Sequence, residues 1–484
     1  MEKKRFTRIG KAGIAVTIIA SILVIWLWYI VTDFPEALEP DPHQPAGVLI
    51  DNARLISMVP GAPEAEDAQA VLVIGDRIVA VGAAGELTAP EGVRTIDARG
   101  QWLIPGLIDA HIHLSDEAEL AGYLAHGVTG LRNVSGYPFH VPLAENIKAG
   151  LILGPDFVTT GQILNSPGPN ENPLQRTVTT AAEARAAVRD QYDAGFRRVK
   201  LYSNLSREAF DAVLEEAEAL GMRVMGHTPE GVRSAGIPRE KPFEIPWEES
   251  LGRGFTTFEH IETLVWHSLR GELDEQRMRE VAAMLASSGE AVTTTLIAHK
   301  RLVLIAQTRG AYLQRPGSDT VNPLIRLAQR GDAEYWSQAD PSAYEGPRAE
   351  FYLTATRLLH EAGVPLVAGT DAGIFAIIPG ASMARELELL VGAGLSPHQA
   401  LASATRISAQ VLGFEQTGMI ASGYRANLAL LPEDPLTRIG AVEFPAAVMI
   451  GGYWMDDIKL EELREAARDT SFIRSVWRAL QMKF

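Results

Sequence analysis

"LIPGLIDAHIHL", residues 103–114, is an apolar run that closes on two histidines one residue apart. Side chains of a strand alternate between its faces, so Asp109, His111 and His113 share one face while Ile108, Ala110 and Ile112 take the other. The two imidazoles therefore converge at the strand end, where neutral imidazole is a ligand for zinc and similar ions. An H-x-H pair in an ordinary loop is the plainer alternative. What decides between them is whether the rest of the chain supplies more ligands.

Downstream of this strand the sequence alternates strand-like and helix-like segments, the pattern of a parallel sheet with helices outside it. Strands are predicted at 107–113, 128–134, 156–163, 197–203, 223–228, 256–262, 290–297 and 365–371. Eight such strands predict a closed α/β barrel of the (β/α)8 type, whose functional residues stand at the C-terminal strand ends. The chemistry-bearing residues fall there. Strand one ends in His111 and His113, strand four carries Lys200 and Tyr202 in "RRVKLYS", strand five ends at His227, strand six at His260 and strand eight at Asp371. Each alone has a bland reading as a solvated lysine, a hydrogen-bonded histidine or a helix cap. Lys200 resists it, because an unpaired ammonium beside Val199 in an apolar strand is costly. Residues 300–347 are too long for a simple connection and are expected to cover the barrel mouth.

At 484 residues the chain exceeds a barrel of roughly 250 residues and leaves length for a smaller companion. Short β-like runs between Val48 and Gly100 make half a sheet, and "ANLALLP" with "AAVMIGGYWM" near the other end supplies the rest. The expected division is a composite β-sandwich from 47–103 and 414–456, a barrel over 104–413, and a helical extension over 457–484.

The formal charge is −16, from 44 Lys plus Arg against 60 Asp plus Glu, which argues against a nucleic-acid partner. With no cysteine, disulfides, a thiolate nucleophile and Cys-type zinc sites are all excluded.

The N-terminus reads separately. Residues 1–11, "MEKKRFTRIGK", hold five basic residues and one acid, and the twenty residues 12–31 carry no charge. As a helix that run spans roughly 30 Å, the hydrocarbon thickness of a bilayer. The basic flank places the N-terminus in the cytoplasm, so this is read as a signal anchor with the catalytic body in the periplasm or outside the cell; a cleaved signal peptide is the rival. Residues 32–46, rich in proline and acids, are read as an extended spacer holding the body off the membrane. In the extension, Phe472, Ile473, Val476, Trp477 and Leu480 form an apolar helical stripe, with Arg474, Arg478 and Lys483 placed elsewhere on the surface. The stripe is suited to the membrane, to the barrel or to a second subunit of a homo-oligomer.

The motifs "PGLIDAHIHL", "RRVKLYSNLS", "RVMGHT", "FEHIE", "AGTDAG" and the tail from "RELELLVGAGLSPHQALASATRISAQVLG" to "TGMIASGYRANLALLPEDPL" are similar to those of the amidohydrolase superfamily, in particular its imidazolonepropionase-like and prolidase-like metal-dependent peptidases. The resemblance covers about residues 47–455. It implies a barrel flanked by a β-sandwich and two divalent metals, most commonly zinc. His111, His113 and Asp371 would hold the more buried ion, His227 and His260 the other, and Lys200, N6-carboxylated, would bridge them. It further implies attack by a metal-bridging hydroxide, with Asp371 as the proton shuttle. Two positions depart from the pattern: Asn427 and Asn133 stand where acids are common. Tyr202, two residues past Lys200, is either a donor to the substrate carbonyl or a packing residue. His140 and His299 are the further histidines placed near the mouth, with His140 taken as a substrate contact. The implied activity is hydrolysis of small-molecule amides or peptides, with dipeptides or N-acyl amino acids the expected substrates. A cyclic-amide hydrolase or deaminase is the alternative within the superfamily, though those generally lack the bridging lysine; a silent membrane-anchored scaffold is the alternative outside it.

Overall fold

The computed structural model describes residues 18–481 except 19, 20, 23, 170, 233–242, 343 and 344. β1 (Gly47–Leu55), β2 (Glu66–Ile74), β3 (Arg77–Ala83), β4 (Val93–Asp97) and β5 (Trp102–Pro105) begin a mixed sheet, with β1 antiparallel to β2 and parallel to β4 and β5. The chain then enters a run of parallel strands: β6 (Leu107–Ile112), β7 (Val128–Asn133), β8 (Asp156–Thr159), the short β9 (Leu164–Asn165) and β10 (Arg176–Thr177), β11 (Arg198–Leu201), β12 (Arg223–Gly226), β13 (Phe255–Glu259), β14 (Ala291–Thr293) and β15 (Leu366–Val367). β16 (Leu428–Leu431), β17 (Ala447–Ile450) and β18 (Tyr453–Met455) return to the first sheet, where β16 lies antiparallel to β5. Both chain ends thus share one sheet, and Val48, Val71, Leu428 and Met449 meet in a core of its own.

Among the described residues, β6, β7, β8 and β11 to β15 occupy the eight predicted strand positions. The ring closes through main-chain hydrogen bonds. Ala110 N donates to Ala368 O at 3.0 Å and Asp371 N to His111 O at 2.8 Å between last and first strands, while Gly161 N donates to Arg198 O at 3.0 Å beside β11. β15 is much shorter than predicted, and four residues after its end the chain turns at Asp371, whose φ is 62°. Gly373, at φ +100°, lets this turn press on strand one: a Cβ there would stand 2.1 Å from the His113 carbonyl oxygen.

The proline-rich stretch is not the free spacer that its composition predicts. Leu38 is fully buried, Phe34 packs on the main core, and Leu153 N donates to Leu38 O at 2.8 Å. Two apolar side chains among the acids are enough to dock it. Part of the predicted membrane span 12–31, namely 12–17, 19, 20 and 23, lies outside the described residues; its described end is a helix over 24–32, and among the described residues no helix is long and apolar enough to cross a membrane.

The extension is also read wrongly at one point. Arg474, predicted on the surface, is only 4% exposed and grips Asp116, itself 0% exposed, through Nη2 to Oδ1 at 2.7 Å and Nε to Oδ2 at 2.9 Å. Arg478 pairs with Glu117. The partners lie over 350 positions upstream, beyond any local pattern. Removing one member leaves the other charge buried, so Asp116→Ala is expected to lower unfolding stability by about 3–5 kcal/mol in denaturant titration, whereas an exposed pair would cost about 1 kcal/mol or less.

Candidate metal centre

The site begins on β6. His111 is fully buried and its Nδ1 donates to Glu259 Oε2 at 2.5 Å, which leaves Nε2 as the free donor atom facing the barrel axis. Glu259 is itself held by Arg132, whose Nη2 donates to Oε1 at 2.8 Å while its Nη1 reaches Thr257 Oγ1 at 2.7 Å. Strand eight brings in Asp371, with Oδ1 3.0 Å from His113 Nε2 and 3.4 Å from His111 Nε2. Asp109, also fully buried, fastens the two strands by accepting from Thr370 N at 2.9 Å and Thr370 Oγ1 at 2.6 Å. The donor atoms of His111, His113 and Asp371 all lie within 4.8 Å of one another, the spacing of a shared cation.

The other predicted residues adjoin this trio. Lys200 Nζ is 3.4 Å from His111 Nε2. The His260 ring lies 4.5 Å from that of His111, and the His227 ring 4.8 Å from that of His260. His260 Nδ1 meets Thr295 Oγ1 at 2.7 Å, again leaving Nε2 free. His260 and Asp371 both sit at positive φ, 70° and 62°, a backbone conformation that L-residues rarely hold and that the surrounding packing must enforce. Tyr202 stacks its ring 4.1 Å from His227.

Burial, reinforced by neighbouring cations, pushes His111, His227 and His260 well below the usual imidazole range, so they stand neutral and able to ligate. Burial alone would raise the Asp371 carboxyl, but the hydrogen bond from His113, with the imidazoles around it, outweighs burial and holds the group ionised. Burial also brings the Lys200 amine down to about 8, despite the opposing pull of Glu259 and Asp371. Neutral imidazoles, a carboxylate and a depressed lysine fit a divalent cation of zinc's type.

All six predicted ligands and Tyr202 line one cavity of about 620 Å³, which the predicted cover closes over with Arg301, Leu302, Ile325 and Gln329. His299 reaches it too, its ring 4.9 Å from Tyr352, and burial pushes it down to about 3. His140 does not line it. Its Nδ1 accepts from Tyr137 N at 2.8 Å and its Nε2 donates to Leu114 O at 3.0 Å, so both ring nitrogens are engaged within the protein and the predicted substrate contact is corrected to a structural role.

The two departures from the pattern have local explanations. Asn133 donates to Thr159 Oγ1 at 2.9 Å and accepts from Leu114 N at 2.9 Å, work an acid would share only in part. Asn427 donates to Asp156 Oδ2 at 2.7 Å, where a second acid would repel. Arg132, Glu259 and Asp109 were missed as positioning residues. The signal was present in "LRNV", a cation inside an apolar strand like Lys200, and in the acid that directly precedes His260.

Residues 102–455 match the model of the Amidohydrolase family. An imidazolonepropionase of Rubrobacter xylanophilus is 24% identical over 417 residues, covering 79% of this chain and 90% of its own. Among solved structures, bottromycin amidohydrolase superposes with a TM-score of 0.69 at 24% identity, over 91% of this chain and 96% of that one. A putative prolidase from Bifidobacterium longum gives 0.62 at 25% identity, over 88% and 100%.

Proposed function

The chain belongs to the amidohydrolase family, metal-dependent hydrolases of C–N bonds, and from that premise we propose that it cleaves dipeptides or N-acyl amino acids at the amide. The observation that carries the substrate class is Arg301. It lines the same cavity as the ligands, is 7% exposed, and lies with its guanidinium 4.7 Å from the Phe375 ring. Its buried Nε has no hydrogen-bond partner among the described residues. A buried guanidinium with spare donor capacity beside a hydrolytic centre is built for an anion, and an amino-acid carboxylate fits its planar fork.

In this reading His111, His113 and Asp371 hold one divalent cation, most simply zinc, and His227 and His260 a second. Bound there, the cations supply Lewis-acid polarisation and acidify coordinated water. Lys200 would join them as a carbamate: its neutral amine would form a C–N bond to carbon dioxide and release one proton, replacing a buried amine by a bidentate anion. Asp371 accepts the proton of the attacking water and returns it to the departing amine. Tyr202 donates to the substrate carbonyl oxygen as negative charge builds on it. The apolar N-terminal run is proposed to anchor the protein, with the catalytic body on the non-cytoplasmic side.

The experiment is a panel of dipeptides, N-acyl amino acids and carboxylate-bearing cyclic amides, scored for released amine or ring opening. Release of amino acid from the linear substrates supports the reading; turnover of the cyclic amides alone, or of none, contradicts it. Arg301→Gln is expected to raise KM for carboxylate substrates at least about tenfold while kcat changes less than about threefold. An unchanged KM removes Arg301 as the carboxylate contact.

A further inference from the structure

The C-terminal helix Phe472–Leu480 is turned inside out. Its buried positions are Arg474 and Ser475, while Phe472, Trp477 and Leu480 are 42%, 42% and 48% exposed. The polar side is locked by the ion pairs to Asp116 and Glu117 and by Asn322 Nδ2, which donates to Ser475 Oγ at 2.8 Å. Rolling the helix to hide its apolar side would break all of these, so the exposure is built into the fold.

A second apolar surface leaves the body at the same point. Arg474 Nη1 donates to the carbonyl oxygen of Asp33 at 2.8 Å, directly after the helix over 24–32. On that helix Ile25, Trp26, Trp28 and Tyr29 are all more than half exposed. The docking of Phe34 and Leu38 on the main core keeps the junction against the body. Beside the C-terminal helix packs Pro323–Ala328, which carries the exposed Leu327.

We propose that this face, centred on Phe472, Trp477 and Leu480, rests on a phospholipid bilayer as a second membrane contact. The occupant follows from the continuity with the helix before Asp33, whose sequence extends upstream into a charge-free run of bilayer length, and from the tryptophans and tyrosine gathered there, side chains that favour the membrane–water boundary. An amphipathic helix with large apolar residues on one side lies in that boundary rather than crossing it. The contact uses the anchor reading for the neighbouring helix, while the C-terminal face makes its own prediction. Since Ile325 of Pro323–Ala328 lines the cavity, the pocket's cover stands against the membrane.

The chain has no cysteine, so single cysteines can be placed in the full-length protein and labelled with an environment-sensitive fluorophore. Phe472→Cys and Leu480→Cys test the face, Trp28→Cys reports the anchor, and Met284→Cys, exposed on the helix Glu275–Ser288, is the aqueous control. Each variant is reconstituted into phosphatidylcholine vesicles containing a minority of anionic lipid. Labels at 472 and 480 are expected to be quenched by brominated lipid at least about threefold more than the label at 284, and to be shielded from aqueous iodide. If labels 472 and 480 behave like 284 while 28 is in lipid, the second contact is overturned and the anchor stands. If 28 also behaves like 284, both fall.

Discussion

Lys200→Ala is expected to bind no more than about one metal ion per chain and to lose at least about 10³-fold in kcat/KM. The reasoning rests on position. The amine is 1% exposed and 3.4 Å from His111 Nε2, where an alanine leaves nothing to join the trio of His111, His113 and Asp371 to the pair of His227 and His260. The same burial makes a second expectation that a merely structural lysine would not share. Without metal, wild-type Lys200 is a buried ammonium whose desolvation outweighs the pull of Glu259 and Asp371, so the metal-free Lys200→Ala protein should unfold at a temperature no lower than metal-free wild type. Full metal content and normal turnover in the variant would make Lys200 an ordinary barrel residue.

Asp371→Asn is expected to lower kcat by about 10²–10⁴-fold with KM within a few-fold of wild type. Asparagine keeps the shape and the contact to His113 but cannot take a proton. The backbone there is already held at φ 62°, which asparagine tolerates better than most residues, so the fold should survive. Near-normal kcat would exclude Asp371 as the proton carrier and leave it only as a ligand.

The strands were legible because each is a short apolar run ending in a residue that solvent or a metal must satisfy. His111, Lys200, His227, His260 and Asp371 stand on five such runs, and the repeat itself predicts that they meet. Local patterning fails where the partner is distant. Nothing near Arg474 announces Asp116, so the arginine was placed on the surface when it is buried in an ion pair. The His140 error has the opposite cause: its partners, Tyr137 N and Leu114 O, are main-chain atoms that no side-chain pattern records. The spacer was misread from composition, because Phe34 and Leu38 outweigh the prolines and acids around them.

The central claim is that Lys200 joins two cations held by this histidine and aspartate set. Anomalous diffraction from crystals grown with zinc, recorded on both sides of its absorption edge, tests it directly. The account predicts two peaks roughly 3.5–4 Å apart, with continuous density beyond Lys200 Nζ reaching both. A single peak on His111, His113 and Asp371, with a bare amine at Lys200, would contradict it.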